Sequence, residues 1–155
     1  MEEGGKSPSW NFIDGRYHGI GSSGYPLPND TEEVIRLDKL HYLFRCILRR
    51  NIVAPINPNP TAILDVGTGS GRWVVEVADQ FPEAKVIGMD LSPANPLYEL
   101  SENCEFIVGD ATEGLKFDDN SLDLVHSRYV CLLNVVKVNI ESSTLESRET
   151  SGLYI

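Results

Sequence analysis

The stretch Ile63-Leu64-Asp65-Val66-Gly67-Thr68-Gly69-Ser70-Gly71 decides the fold of this chain. Its apolar start predicts a buried strand, and its three glycines predict a tight loop directly after that strand. A helical pattern follows, with Val74, Val77 and Ala78 on one face and Pro82 at its end. A strand, a glycine loop and a helix in this order are typical of an open α/β sheet.

Three further strands are predicted downstream, over residues 85–89, 104–108 and 122–126. Strands that alternate with helices or long connections pair in parallel through right-handed crossovers. The connection over residues 92–103 predicts only a short helix near Leu97–Leu100. We therefore expect an α/β fold with a Rossmann-like parallel sheet of about four strands, preceded by an N-terminal helix.

The flanking segments differ from this pattern. Residues 1–29 are rich in glycine and proline and predict a loosely structured segment. Asp30, with Glu33 three positions later, forms a capping-box pattern that predicts a helix over residues 30–50. Residues 61–129 contain the strands, and residues 130–155 are expected to be a polar tail.

The composition of the chain disfavours several kinds of partner and of site. The chain has 155 residues, which suits one domain, and its net charge is −10. Residues 61–155 carry 6 basic and 16 acidic side chains, and this excess disfavours nucleic-acid and membrane-surface partners. The 3 cysteines are widely separated, and the start of the chain does not resemble a secretory signal. We expect an intracellular protein without a metal site, in the cytoplasm or the nucleus.

Three acidic residues follow three of the predicted strands, on the edge where open α/β sheets bind ligands. Asp65 would repel a pyrophosphate and attract an ammonium group, as S-adenosylmethionine carries. Asp90 lies 19 positions after Gly71, which suits a contact with both ribose hydroxyls. Asp110, next to Ala111, could accept the adenine amino group. Arg72 stands where a nicotinamide-binding loop would have its third glycine.

Each of these residues also has a structural interpretation. Asp65 could cap the next helix, Asp90 could be a turn residue, and Asp110 could be an exposed loop acid. Arg36 and His41 could lie on the solvent face of an amphipathic helix. His126 could be a core histidine or a catalytic one.

These residues resemble the class I S-adenosylmethionine-dependent methyltransferases over residues 61–129. The upstream stretch Tyr25-Pro26-Leu27-Pro28-Asn29-Asp30, followed by Glu33, Arg36 and His41, is similar to the LaeA-like methyltransferases of filamentous fungi. That family includes regulators of secondary metabolism and enzymes of natural-product clusters. The resemblance implies methyl transfer from S-adenosylmethionine to an acceptor that is either a small molecule or a protein.

The resemblance also implies roles for individual residues. The residues expected to bind the cofactor are Asp65, Gly67, Thr68, Gly69, Gly71, Asp90, Leu91, Asp110, Ala111 and Ser127. The helix over residues 30–50 would belong to an N-terminal segment that covers the cofactor. The residues expected on this cover or on the substrate side are Tyr25, Arg36, His41 and Arg128. No catalytic base is identified.

The family's sheet has seven strands, and this chain resembles it only through the fourth. We therefore expect a truncated chain whose acceptor site is incomplete and whose activity is impaired. One alternative is a non-catalytic fragment that acts through a protein partner. Another is a nicotinamide-dependent oxidoreductase, which Asp65 and the glycine spacing disfavour.

Overall fold

The computed structural model describes residues 10–19, 28–94, 96–130 and 153–154. Its elements are β1 (Trp10–Ile13), β2 (Arg16–Gly19), α1 (Thr31–Leu48), β3 (Ala62–Val66), α2 (Arg72–Gln80), β4 (Lys85–Asp90), β5 (Cys104–Val108), a 3₁₀ turn (Ala111–Glu113), β6 (Leu124–Ser127) and β7 (Leu153–Tyr154). Strands β1 and β2 form an antiparallel hairpin, and the other strands form a parallel sheet in the order β5-β4-β3-β6-β7. No helix in these residues is both long and apolar enough to cross a membrane.

The parallel sheet confirms the α/β class and the four strands that the sequence predicts. The chain runs outward from β3 to β4 and β5, then returns to place β6 on the other side of β3. The strand order therefore reverses between β3 and β6, and such a switch point opens a crevice at the carboxyl ends of the strands.

Strand β7 adds a short fifth member to the sheet, which the sequence analysis did not predict. It pairs with β6 in parallel, with Val125 opposite Leu153 and His126 opposite Tyr154. The expected polar tail is therefore a strand at these two positions, while residues 131–152 lie outside the described residues.

The core has two layers because successive side chains of β3 point to opposite faces of the sheet. Ile63 is fully buried against α2, where it packs with Val74 and Val77. Leu64 is fully buried on the other face, where Ala111 and neighbouring side chains of the segment after β5 cover it. The sheet is thereby covered on both sides, as parallel sheets require.

For residues 10–19, the hairpin of β1 and β2 corrects the prediction of a loosely structured segment over residues 1–29, most of which lies outside the described residues. Asp14 and Gly15 have φ angles of 50° and 80°, the left-handed values that a tight hairpin turn needs. The rings of Phe12 and Tyr17 pair across the two strands, with 5.0 Å between their centroids. An Asp-Gly pair between aromatic residues was the sequence signal for this hairpin.

Helix α1 begins where the capping pattern predicts. Asp30 accepts a hydrogen bond from the backbone N–H of Glu33 at 2.9 Å, which confirms it as the N-cap. Asp30 also pairs with Arg16 of the hairpin, and this guanidinium lowers the pKa of Asp30 to about 2. The same carboxylate therefore joins the hairpin to the start of the helix.

The predicted short helix near Leu97–Leu100 is absent, because residues 96–103 contain no helix. Tyr98 instead donates its hydroxyl to the backbone carbonyl of Ser70 at 2.7 Å. Its ring also lies against Arg72, with 4.6 Å between the guanidinium carbon and the ring centroid. These contacts hold the segment against the glycine loop.

Candidate functional site

A cavity opens at the carboxyl ends of β3, β4 and β6, at the switch point of the sheet. Seven of the predicted cofactor-binding residues line it: Asp65, Gly67, Thr68, Gly69, Asp90, Leu91 and Ala111. Two of the predicted cover residues, His41 and Arg128, line it as well. The remaining lining residues are Leu37, Leu40, Val66, Ser70, Trp73, Met89, Gly109, His126, Tyr129 and Val130.

The glycine loop takes a backbone shape that few other residues could adopt. The φ angles of Gly67, Gly69 and Gly71 are 72°, 57° and 76°, in the left-handed region that favours glycine. The N–H groups of Gly67 and Thr68 both donate to the carbonyl of Met89, at 2.8 and 3.0 Å. The loop is thereby fixed to the end of β4, beside Asp90.

Because the loop glycines have no side chains, side chains from other elements pack closely against them. A Cβ atom on Gly71 would lie 2.6 Å from the ring of Phe106, and one on Gly67 would lie 2.6 Å from Val130. A Cβ atom on Gly69 would lie 3.1 Å from Leu37 of α1. Side chains of the protein therefore occupy the space beside all three loop glycines. Gly71 itself does not line the cavity.

Asp90 joins the glycine loop to the segment that follows β4. Its carboxylate accepts hydrogen bonds from the N–H groups of Gly69 at 2.8 Å and Ser92 at 3.2 Å. Burial raises the pKa of Asp90, and the nearby Asp65 charge acts in the same direction. Because a carboxylate has about four acceptor positions, two backbone bonds leave room for a ligand hydroxyl.

Asp65 is paired with a histidine of the neighbouring strand. Its Oδ1 lies 2.7 Å from Nδ1 of His126, and the register of β3 and β6 places these residues opposite each other. The His126 ring is stacked on Trp73, with 3.9 Å between centroids and 3° between planes. Trp73 is fixed in turn by a hydrogen bond from its Nε1 to the carbonyl of Asn51 at 2.9 Å. This arrangement confines the Asp65 carboxylate at the floor of the cavity.

His41 brings helix α1 into contact with the cavity. It is only 4% exposed, and its Nδ1 lies 2.9 Å from the guanidinium of Arg128. Its Nε2 lies 3.2 Å from a carboxylate oxygen of Glu76. Burial lowers the pKa of His41, with Arg128 and Arg72 adding to this, although the Glu76 charge opposes it.

Glu76 of α2 connects four side chains behind the cavity. Besides facing His41, it accepts hydrogen bonds from Asn51 and Arg45 and from Arg72 of its own helix. Burial alone would raise the pKa of Glu76, but Asn51, His41 and Arg45 outweigh it, and the pKa is lowered. The carboxylate therefore stays charged, and it connects α1 to α2.

Besides Gly71, four of the predicted site residues are not brought to the cavity by the described structure. Asp110 accepts bonds from the N–H and hydroxyl of Thr112, at 2.8 and 2.6 Å, and these bonds lower its pKa. Arg36 pairs with Glu33 at 2.6 Å, and Ser127 does not line the cavity. Tyr25 lies outside the described residues.

Several residues that line the cavity carry no functional signal in the sequence. Trp73 and Met89 come from α2 and β4, where their apolar character indicated only a core position. Leu37 and Leu40 belong to the apolar pattern of α1, which does not reveal what the helix packs against. Only the register of β3 and β6 would have shown that His126 faces Asp65.

Comparisons with known proteins agree with this geometry. The family model described as methyltransferase domain matches residues 63–145, and thus continues beyond Tyr129, where the sequence resemblance ended. Methyltransferase pytC of Aspergillus terreus is 41% identical over 117 residues, which cover 74% of this chain and 36% of that protein. Secondary metabolism regulator laeA of Aspergillus niger is 40% identical over 128 residues, which cover 79% of this chain and 34% of that protein.

The structural comparison gives the same result. A solved complex of the Haloferax volcanii Trm112 methyltransferase activator with a methyltransferase matches with a TM-score of 0.51 and 26% identity. The match covers 61% of this chain and 42% of that one. The chain spans about a third of the length of the two curated relatives. The sheet order, the glycine loop and the family match over residues 63–145 together show that the chain belongs to the methyltransferase domain family.

Proposed function

We propose that this chain binds S-adenosylmethionine in the cavity and belongs to a methyltransferase of LaeA-like type. The observation that carries the proposal is the pair of carboxylates, Asp65 and Asp90, which line the cavity on either side of the glycine loop. The Asp65 carboxylate beside the glycine loop favours an ammonium group and opposes a diphosphate, which separates this cofactor from the nicotinamide dinucleotides. The two fungal relatives, a methyltransferase and a regulator of secondary metabolism, support the same class.

The residues of the cavity fit the parts of this cofactor. Asp65 would hold the ammonium group, and Asp90 would accept hydrogen bonds from the ribose hydroxyls. Ala111 is 4% exposed and lies beside Met89, so the two would form an apolar wall for the adenine ring. Thr68 offers a buried hydroxyl oxygen that has no partner within the described residues. A buried polar atom of this kind gains free energy when a ligand supplies the missing hydrogen bond.

When bound, S-adenosylmethionine supplies a methyl group on a sulfonium, which is already an activated leaving group. The task that remains for the protein is to hold the cofactor and the acceptor in line. Asp65 and Asp90 are both fixed by hydrogen bonds within the fold, so they would hold a ligand without further ordering. We propose a small molecule or a protein side chain as the acceptor, since the acidic charge of the chain disfavours nucleic acid.

The substitution Asp90→Asn tests the proposed ribose contact. We expect it to weaken binding of S-adenosylmethionine by about 1.5–3 kcal/mol, the range for hydrogen bonds to a charged group. Asparagine keeps one acceptor oxygen, so the bond from Gly69 can persist and the loop can remain in place. Isothermal titration calorimetry would measure the dissociation constant.

The matched control is Asp110→Asn, at the third predicted acidic position. Asp110 caps the 3₁₀ turn and does not line the cavity, so we expect this variant to bind as the unaltered chain does. A loss in Asp110→Asn as large as that in Asp90→Asn would instead support the adenine contact that the sequence predicts. An unchanged dissociation constant in Asp90→Asn would remove Asp90 from the ribose site.

A further inference from the structure

Arg128 places a positive charge in a cavity whose lining also includes the carboxylates of Asp65 and Asp90. It follows β6 directly, lines the cavity, and is half-buried. Its guanidinium lies over the ring of Phe44, at 5.5 Å from the centroid, and it donates a hydrogen bond to His41. Within the described residues, no carboxylate lies within ion-pair distance of Arg128.

The partner of Arg128 cannot neutralise its charge. Because Nδ1 of His41 accepts the hydrogen bond from Arg128, the ring must carry its proton on Nε2, which faces Glu76. His41 is therefore neutral, in agreement with its lowered pKa. Burial also lowers the pKa of Arg128. A guanidinium has five N–H donors, and a half-buried one without a carboxylate partner is costly unless a ligand completes the pairing.

Asp65 and Arg128 line the same cavity with opposite charges and interact electrostatically. An α-amino acid carries an ammonium and a carboxylate on one carbon, so it complements such a pair. We propose that Arg128 binds the carboxylate of the methionine part of S-adenosylmethionine, while Asp65 binds its ammonium. This assignment rests on the proposed function, and it replaces the expectation that Arg128 lies on the cover or on the substrate side.

His41 would then act as a positioning residue for the cofactor. Its hydrogen bond and the Phe44 ring fix the guanidinium from the side of α1. Helix α1 would thus influence cofactor affinity through Arg128, without direct contact between His41 and the cofactor carboxylate.

The experiment compares S-adenosylmethionine with its decarboxylated form, which keeps the ammonium and sulfonium but lacks the carboxylate. Calorimetry gives the affinity ratio of the two ligands for the unaltered chain, for Arg128→Met and for the control Arg50→Met, which alters an exposed arginine after α1. We expect Arg128→Met to lower the affinity ratio, expressed as S-adenosylmethionine over the decarboxylated ligand, by about 10- to 100-fold, as loss of a charge-assisted pair implies. Arg50→Met should leave it unchanged.

The ratio separates a binding role from a folding role, because a merely damaged cavity would lose both ligands alike. Arg128→Lys retains the positive charge but cannot donate two parallel hydrogen bonds to one carboxylate. It should give an intermediate affinity ratio even if Arg128→Met fails to fold. An unchanged ratio in both variants would overturn the assignment and point to a carboxylate on the acceptor. Failure of the unaltered chain to bind either ligand would overturn the proposed function and this inference with it.

Discussion

Replacing Glu76 by alanine should lower the free energy of unfolding by about 2–4 kcal/mol, because it leaves buried polar partners without their acceptor. The Glu76 side chain is only 10% exposed, and it faces Asn51, His41, Arg45 and Arg72. Asn51 and His41 are themselves buried, at 9% and 4% exposure. The loss should be visible as a lower midpoint in urea-induced unfolding.

Two further variants separate the charge of Glu76 from its shape. Glu76→Gln keeps the volume and one acceptor oxygen, so we expect a smaller loss than in Glu76→Ala. Glu83→Ala removes an exposed carboxylate in the turn after α2 and should change stability by less than about 0.5 kcal/mol. Equal midpoints for Glu76→Ala and Glu83→Ala would show that Glu76 does not hold α1 against α2.

Replacing Gly71 by alanine should destabilise the protein by about 2–4 kcal/mol, through backbone strain and a steric clash that act together. The φ angle of Gly71 is 76°, which costs a residue with a side chain about 1–2 kcal/mol. The new Cβ atom would also lie 2.6 Å from the ring of Phe106. Since Phe106 packs against the core between β3 and α2, the ring cannot move away freely.

Gly15→Ala is a matched control for this prediction. Gly15 has a φ angle of 80°, close to that of Gly71, but a Cβ atom there would meet nothing within 4 Å. It should show the backbone cost alone, and the double variant Gly71→Ala/Phe106→Leu should recover part of the clash. If Gly71→Ala were no more destabilising than Gly15→Ala, the contact with Phe106 would not constrain the loop.

The sequence predicted most of the sheet because its signals are local. Buried strands such as β3 and β4 are largely apolar, and the Asp30 capping pattern marks the start of α1 directly. The prediction of a short helix at Leu97–Leu100 was wrong because a tertiary contact determines the conformation of that segment. Tyr98 donates a hydrogen bond to the Ser70 carbonyl, 28 positions away, and residues 96–103 contain no helix.

The candidate site was predicted less completely because it depends on the direction in which each side chain points and on contacts between residues far apart in the sequence. Arg36 and His41 lie on the same helix, and spacing alone did not show that only His41 would line the cavity. Asp110 looked equivalent to Asp90, yet its hydrogen bonds to Thr112 make it a turn cap. The pairing of Asp65 with His126 joins residues 61 positions apart and depends on the placement of β6 beside β3.

The most direct test of the central claim is a calorimetric titration of the unaltered chain with S-adenosylmethionine and, separately, with NAD. The Asp65 carboxylate should attract the ammonium group of S-adenosylmethionine and repel the diphosphate of NAD. We therefore predict saturable binding of S-adenosylmethionine with one site per chain and no saturable binding of NAD under the same conditions. Binding of NAD with equal or higher affinity, or no saturable heat with S-adenosylmethionine, would contradict the account.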